Sequence, residues 1–336
     1  MGIFLCNYFA LPISHTYYRV FFLHNKLIVN RRVIMGRQNI AFLYARVSRA
    51  PVISRNAETG EYNYGMVYLD TVRSLRSVGD DIKYVRHDHP LVMSREKEIL
   101  DQMEDWKEND IVFIKGVITS KTVMKSSFCP HCTDGEGNAT RNTSKGNLVY
   151  ITPIYVRKEA SYGDDKKAAI EDIVNNREIS NQIYVMGTLI RDPKIITTKR
   201  GIQITQYPIA INRKFTIRTD DPNIKTDWPI VKSYDEKARE DKIFLRYQAE
   251  VIIDGFLQAR NITRRTKCEH CNEEYEWTDH CMELVPYDVE YVSGHRSEEE
   301  VEAEAQKSVE ELKQMLFRPE SQDDLDDDLK SDDIKE

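Results

Sequence analysis

The chain states one pattern twice, which limits it to folds assembled from two copies of a single domain. Asn-Ile-Ala-Phe-Leu-Tyr-Ala-Arg-Val-Ser-Arg-Ala-Pro, from Asn39 to Pro51, returns as Asn-Gln-Ile-Tyr-Val-Met-Gly-Thr-Leu-Ile-Arg-Asp-Pro from Asn181 to Pro193. Ile114-Lys-Gly-Val-Ile-Thr-Ser-Lys followed by Cys129-Pro-His-Cys132 returns as Ile253-Asp-Gly-Phe-Leu-Gln-Ala-Arg followed by Cys268-Glu-His-Cys271, with no gap between the blocks. A length of 336 residues, 40% of them hydrophobic, suits two cores of ordinary size.

Each copy alternates short runs of Val, Ile, Tyr and Phe with polar residues and stops at Gly, Pro, Asn or Asp, the grammar of strands. Copy two predicts strands at Gln182–Arg191, Ile202–Arg213, Pro229–Lys232, Ala249–Arg260 and Leu284–Val292. Copy one parallels them at Ile40–Arg49, Tyr62–Arg73, Leu91–Met93, Asp110–Ser120 and Leu148–Val156. A charged segment of helical spacing lies between the third and fourth strands of each, Arg95–Trp106 and Tyr234–Tyr247. Five strands with a helix before the fourth is the order of an OB-fold, a Greek-key barrel that binds oligonucleotides or oligosaccharides. The expected fold is therefore mainly β: two tandem OB-fold barrels, each with a Cys-x-x-Cys loop before its last strand.

Charge is uneven along the chain. Residues 297–336 hold 16 Asp/Glu against 5 Lys/Arg, so a net −7 overall leaves about +4 on the remainder. A basic body with an acidic tail fits nucleic-acid binding. No apolar run reaches the length of a membrane span, because Asn7, Pro12, His15 and Arg19 interrupt the first one. Residues 1–18 also lack the charged start and cleavage site of a secretory signal, so a cytoplasmic, nucleoid-associated protein is expected. The repeat begins just after Met35, which is read as the natural start; residues 1–36 are then a non-native or disordered extension. Domain one is placed at residues 37–158, a helical linker at 159–180, domain two at 181–294, an amphipathic helix at 295–318 and a disordered acidic tail at 319–336.

Copy two resembles the single-stranded DNA-binding protein family of bacteria and their mobile elements. The opening strand and turn from Asn181 to Pro193, Thr226-Asp-Trp-Pro-Ile-Val and Val251-Ile-Ile-Asp-Gly-Phe-Leu-Gln-Ala-Arg260 are similar to that family's motifs, in the same order. Copy one is more divergent, and the cysteine insertions depart from common members. The resemblance implies sequence-nonspecific binding that protects single-stranded DNA during replication, repair, recombination or transfer. It also implies a homo-oligomer, a dimer for a chain with two barrels. Replication and repair proteins are the partners expected at the acidic tip, although this chain ends Lys335-Glu336 where the family ends in an apolar Pro-Phe pair. An electrostatic role for the tail, competing with DNA for the basic groove, survives that departure.

A single-strand binder needs cations to track phosphates and exposed rings on which bases stack. Trp228 stands where the family places a stacking tryptophan, with Tyr207 and Phe215 as further ring candidates. Arg191, Arg200, Arg213, Lys214, Arg260, Arg264 and Arg265 fall at strand ends and in loops, where such barrels bind. Copy one offers His89 at the tryptophan position, with Tyr64, Tyr68, Arg73, Arg86 and Lys121. Copy two is thus expected to grip DNA and copy one to support it.

Four of the six cysteines form Cys-x-x-Cys pairs, each half of a structural zinc site. Three completions are open: a local site adding Cys281 with His280 or His270 to Cys268 and Cys271, a joint site of Cys129, Cys132, Cys268 and Cys271, or two unmetallated relics. In the tail, Ser297-Glu-Glu-Glu300 is a capping box opening a helix whose apolar positions Val301 to Leu316 are expected to dock within the chain. No Walker loop, His-Glu-x-x-His helix or nucleophile elbow appears, so catalysis is not expected. The other function class left open is an RNA-binding or transcription-adaptor module with zinc-ribbon-like loops.

Overall fold

The computed structural model describes the backbone of residues 18–23 and 26–31, and residues 38–73, 85–219, 221 and 223–316 in full. The acidic segment 319–336 and most of residues 1–36 lie outside the described residues. A hairpin of β1 (Tyr18–Leu23) and β2 (Lys26–Arg31) precedes the first repeat. Copy one follows with β3 (Asn39–Val47), β4 (Val52–Arg55), β5 (Tyr62–Arg73), β6 (Arg86–Asp88), β7 (Leu91–Ser94), helix α1 (Lys97–Met103), β8 (Asp110–Thr133) and β9 (Ala139–Ser161). Two short helices, α2 (Lys166–Asn175) and α3 (Arg177–Ser180), lead to copy two. Its elements are β10 (Asn181–Leu189), β11 (Lys194–Thr197), β12 (Gln203–Asn212), β13 (Thr226–Asp227), β14 (Ile230–Tyr234), α4 (Asp235–Phe244), β15 (Glu250–Lys267) and β16 (Glu274–Ser293), before helix α5 (Glu298–Leu316).

In copy one β3 pairs with β5, β5 with β7, β7 with β9 in parallel, β9 with β8, and β8 returns to β3. The ring closes, so these five strands form a barrel. Copy two closes the same way through β10, β12, β14, β16 and β15. Alternating residues of β3 and β10 point inward, and Leu43, Leu69, Ile114, Ile183, Ile209 and Ile253 are among those fully buried. The same core runs through both barrels.

The halves are joined by their first strands. β3 pairs antiparallel with β10 from Asn39↔Val185 to Asn181↔Leu43, a register that maps onto itself when the copies are exchanged. The chain has therefore built a pseudo-twofold interface between its own halves. Asn39 and Asn181, the first residues of the repeat, show what that symmetry protects. The Asn39 amide donates to Ile118 O and accepts from Ile118 N, at 2.9 and 2.8 Å. Asn181 does the same to Leu257, at 2.9 and 3.1 Å. Gly116 and Gly255 sit at matching β-bulges where a Cβ would fall 2.7 Å from Thr152 O and 2.3 Å from Val285 O.

Two features differ from expectation, the reach of the last two strands of each copy and the setting of the last helix. The fourth and fifth strands run far beyond their predicted ends, so β8–β9 and β15–β16 project as two long hairpin arms. The linker is built into the fold: Ala169, Ile173 and Val174 of α2 pack with Val72 and Ile111, and Ser180 Oγ donates to Tyr44 O. Helix α5 has its capping box, with Ser297 N donating to Glu300 and Glu300 N to Ser297 Oγ. None of its residues is buried, however, and Val309, Leu312, Met315 and Leu316 are exposed, so its apolar side does not dock within the described chain. No helix among the described residues is long and apolar enough to cross a membrane.

Candidate nucleic-acid interface and cysteine cluster

Trp228 follows β13, the short segment that leads into the third strand of copy two. Its neighbour Asp227 is fully buried and holds Arg213 through two bonds of 2.6 and 2.8 Å. The same carboxylate accepts from Ser120 N at 2.8 Å, and Trp228 N donates to Ser120 Oγ at 2.7 Å. Ser120 belongs to β8 of copy one. The tryptophan of one barrel is thus fastened to the fourth strand of the other, with its side chain left 43% exposed. Asn147 Nδ2 adds a 3.3 Å bond to Trp228 O.

A cleft of about 340 Å³ opens there, lined by Trp228, Thr119, Lys121, Thr122, Asn147 and Tyr150, with Arg213 and the loop at Thr219, Asp221 and Ile224 along its side. It offers an aromatic platform, a cation and a row of hydroxyl and amide groups, the chemistry of a base and its phosphate. Of the residues singled out in the sequence, Trp228, Lys121 and Arg213 meet here. Lys121 belongs with Trp228 and not, as expected, with His89. Phe215 and Lys214, 5.8 Å apart from ring centroid to Nζ, lie on the loop that flanks the cleft. Tyr150, Asn147, Thr119 and Thr122 were missed. They face Trp228 only because β3 pairs with β10, and no local pattern carries that.

The pseudo-twofold mate of this cleft is built differently. Asp88 is buried, holds Arg73 at 2.6 Å and accepts a backbone bond from Ala259, the counterpart of Ser120. Burial raises the Asp88 pKa above its ordinary value despite that arginine. His89 stands exposed in place of Trp228, 3.7 Å from Asp70. Across β15 and β16, Glu283 is paired with Gln258 where Tyr150 is paired with Thr119. Glu283 binds Lys232 and lies 3.8 Å from Arg260, whose guanidinium also donates to Tyr234 at 2.8 Å. The cations of this second cleft are therefore answered within the protein.

Several expected contacts are corrected. Tyr207 is fully buried and donates to Asp241 at 3.0 Å, so it is a core residue. Arg213 and Arg73 are structural ion pairs with 8% side-chain exposure, not surface phosphate ligands. Arg264 is bound to Asp279 at 2.5 Å and Arg265 to Glu276 at 2.8 Å. Tyr64 is half-buried beside Arg95, whereas Tyr68 and Arg86 are exposed on copy one away from the Trp228 cleft. Arg191 and Arg200 are exposed in turns of copy two and do not line it either.

At the arm tips the cysteine pairs meet. The sulfurs of Cys129, Cys132, Cys268 and Cys271 all lie within 4.8 Å of one another. Cys129 Sγ is 3.7 Å from Cys271 Sγ and Cys132 Sγ is 3.7 Å from Cys268 Sγ, the two contacts related by the pseudo-twofold. These distances are too long for disulfides, and all four thiols are free. A tetrahedral zinc with Zn–S of about 2.3 Å has sulfur edges of about 3.8 Å, so the cluster fits that ion. Backbone N–H groups of Cys271 and His270 and the Asn142 amide pull the Cys268 thiol below the ordinary thiol range, which suits it to a metal ligand. Cys281 is elsewhere, beside Asp279 and Lys125, and His280 bonds Asn261. The joint ligand set is the one the fold assembles; the local set with His280 and Cys281 is not.

Residues 180–278 match the model of the Single-strand binding protein family. Single-stranded DNA-binding protein 1 of Staphylococcus aureus strain MSSA476 is 28% identical over 81 residues, 24% of this chain and 51% of that protein. Single-stranded DNA-binding protein 2 of strain Mu50 is equally similar over 56% of its length. The chain spans about half the length of the curated relatives it matches. The crystal structure of the wild-type single-stranded DNA binding protein from Thermus aquaticus aligns with a TM-score of 0.50 and 14% identity, covering 78% of this chain and 96% of that one. That likeness concerns the fold and spans both barrels. The second barrel of this chain is thus similar in sequence to the single-strand binding protein family, and both barrels share the fold of one of its solved structures.

Proposed function

We propose that the chain binds single-stranded DNA without sequence preference, in the cleft where Trp228 of the second barrel is fastened to β8 of the first. The observation that carries this reading is the composite cleft itself: a partly exposed indole, Lys121 and a polar lining, in a chain with a family match across that barrel. A base stacks on Trp228, Lys121 answers its phosphate, and the hydroxyls of Thr119 and Thr122 take contacts that any base or sugar can supply. Titration with oligo-dT should quench tryptophan fluorescence to a stoichiometric endpoint, with affinity falling in salt at a slope of roughly −0.7 per phosphate neutralised. A salt-insensitive affinity, or tighter binding of matched RNA, would count against it.

Zinc fits the four cysteines as a structural clip between the arms, and metal analysis of the purified protein should find one ion per chain. A dimer is the favoured assembly. The outer face of β3 and β10 exposes Ile40, Phe42, Tyr184 and Met186 in part, an apolar surface suited to a second copy, and solution mass tests it. Residues 319–336 act electrostatically, competing with DNA for the cleft, and recruit replication or repair proteins in the cytoplasm.

A further inference from the structure

The two arms share length, fold and cysteine clip but differ on their outer faces. On the first, Thr122 stands across from Asn147, Met124 from Lys145, Ser126 from Thr143 and Phe128 from Arg141. Met124 and Phe128 are 58% and 60% exposed, and each sits opposite an exposed cation. The matching face of the second arm pairs Asn261 with His280, Thr263 with Thr278, Arg265 with Glu276 and Lys267 with Glu274. It has no large apolar residue, and its cations face glutamates, with Arg265 bound to Glu276 at 2.8 Å.

We propose that the outer face of the first arm alone extends the single-strand path from the Trp228 cleft toward the cysteine clip, with Phe128 and Met124 meeting bases and Lys145 and Arg141 meeting phosphates. Two observations single out DNA as the occupant. Thr122 and Asn147 line the cleft and are also the first pair of this face, so the two surfaces are continuous. The face is cationic with exposed ring and thioether surface, which complements a polyanion with stackable bases. From Thr122 to Phe128 it runs about 20 Å. Its mate on the second arm is neutralised, so the path leaves the protein on one side and the bound strand lies asymmetrically. This inference rests on the reading that the Trp228 cleft binds single-stranded DNA.

The test compares full-length protein with the triple variant Phe128→Ala, Arg141→Glu, Lys145→Glu and with the second-arm variant Arg265→Glu, Lys267→Glu, each checked for its fold by circular dichroism. Affinity is read for oligo-dT of roughly 8 and roughly 40 nucleotides, below and beyond the reach of one barrel. The first-arm variant should lose about tenfold on the long oligonucleotide and less than about twofold on the short one. Its salt slope should become shallower by roughly 1.4, because two phosphates are no longer neutralised. The second-arm variant should change neither affinity by more than about twofold. Equal losses on both arms, or no loss at either length, overturns the proposal and leaves the face to another occupant, such as the acidic segment 319–336 or a second copy. If wild-type protein binds the short oligonucleotide, only the arm assignment has failed. If it binds neither, the cleft reading has failed with it.

Discussion

The Trp228 cleft and the His89 cleft occupy equivalent places about the pseudo-twofold, and nearly everything that positions them is shared. Each has a buried aspartate, an arginine held by it and a backbone bond to the opposite barrel, through Asp227 and Ser120 in one and Asp88 and Ala259 in the other. What differs is the side chains set around that frame. One cleft joins Trp228 with Tyr150 and Lys121; at the equivalent place His89 stands by Asp70, and Glu283 takes up Lys232 and Arg260. Duplication kept the frame in both halves and an exposed indole beside Lys121 in one cleft. Because each cleft draws on both barrels, the division is between clefts and not, as the sequence led us to expect, between copies.

The shared frame predicts equal effects, and the divergent clefts unequal ones. The largest effect is expected from the frame. Asn39→Ala and Asn181→Ala each strand a buried N–H and a buried carbonyl on a fourth strand, costing about 2 to 4 kcal/mol apiece. Urea melts should give similar losses for the two; a marked difference would mean the halves are not equivalent scaffolds. Next comes Trp228→Ala, which should cost about 1 to 3 kcal/mol in oligo-dT affinity, the range of one stacked base. His89→Ala should cost less than about a third of that, and equal losses by fluorescence anisotropy would break the asymmetry.

Metal removal should act on the arms and spare the barrels, because the barrels are joined by β3 and β10 and a common core. After chelation, amide exchange in the arm tips, residues 123–145 and 262–280, should speed by about tenfold while β3 and β10 keep their protection. Uniform loosening would refute the division. The smallest effect concerns pH. Copy one alone carries Arg46, Asp70 and His87 together, where copy two has Thr188 and Ala210 at the first two positions. The bond to Asp70 raises the His87 pKa above its ordinary 6.5. The stability this adds is complete below about pH 6.5 and is lost as pH rises through the raised value. Protection factors at β5 and β6, which remove the intrinsic pH dependence of exchange, should therefore fall modestly toward pH 8, with no matching fall at β12.

Much of the frame was readable because it rests on local periodicity. Alternation in Asn39–Val47 and Asn181–Leu189 marks strands with one face inward, and the fixed spacing of the Cys-x-x-Cys pairs marks loops that could share a site. The arms were read short because only their facing sides are buried, through Ser127, Cys129, Tyr275 and Cys268, while their outer sides are polar. Arg73 and Arg213 read as surface cations because Asp88 and Asp227, their partners, lie 15 and 14 residues away along the chain. Tyr150 and Asn147 had no signal at all. Their role depends on the other barrel being brought alongside, and only the β3–β10 register does that.

The central claim is that the binding site is composite, and photocrosslinking tests it most directly. Oligo-dT carrying a photoreactive thymidine should attach to Trp228 and, in the same complex, to residues 119–122 or Tyr150 of the first barrel. Adducts confined to the second barrel, or distributed equally between Trp228 and His89, would contradict the account.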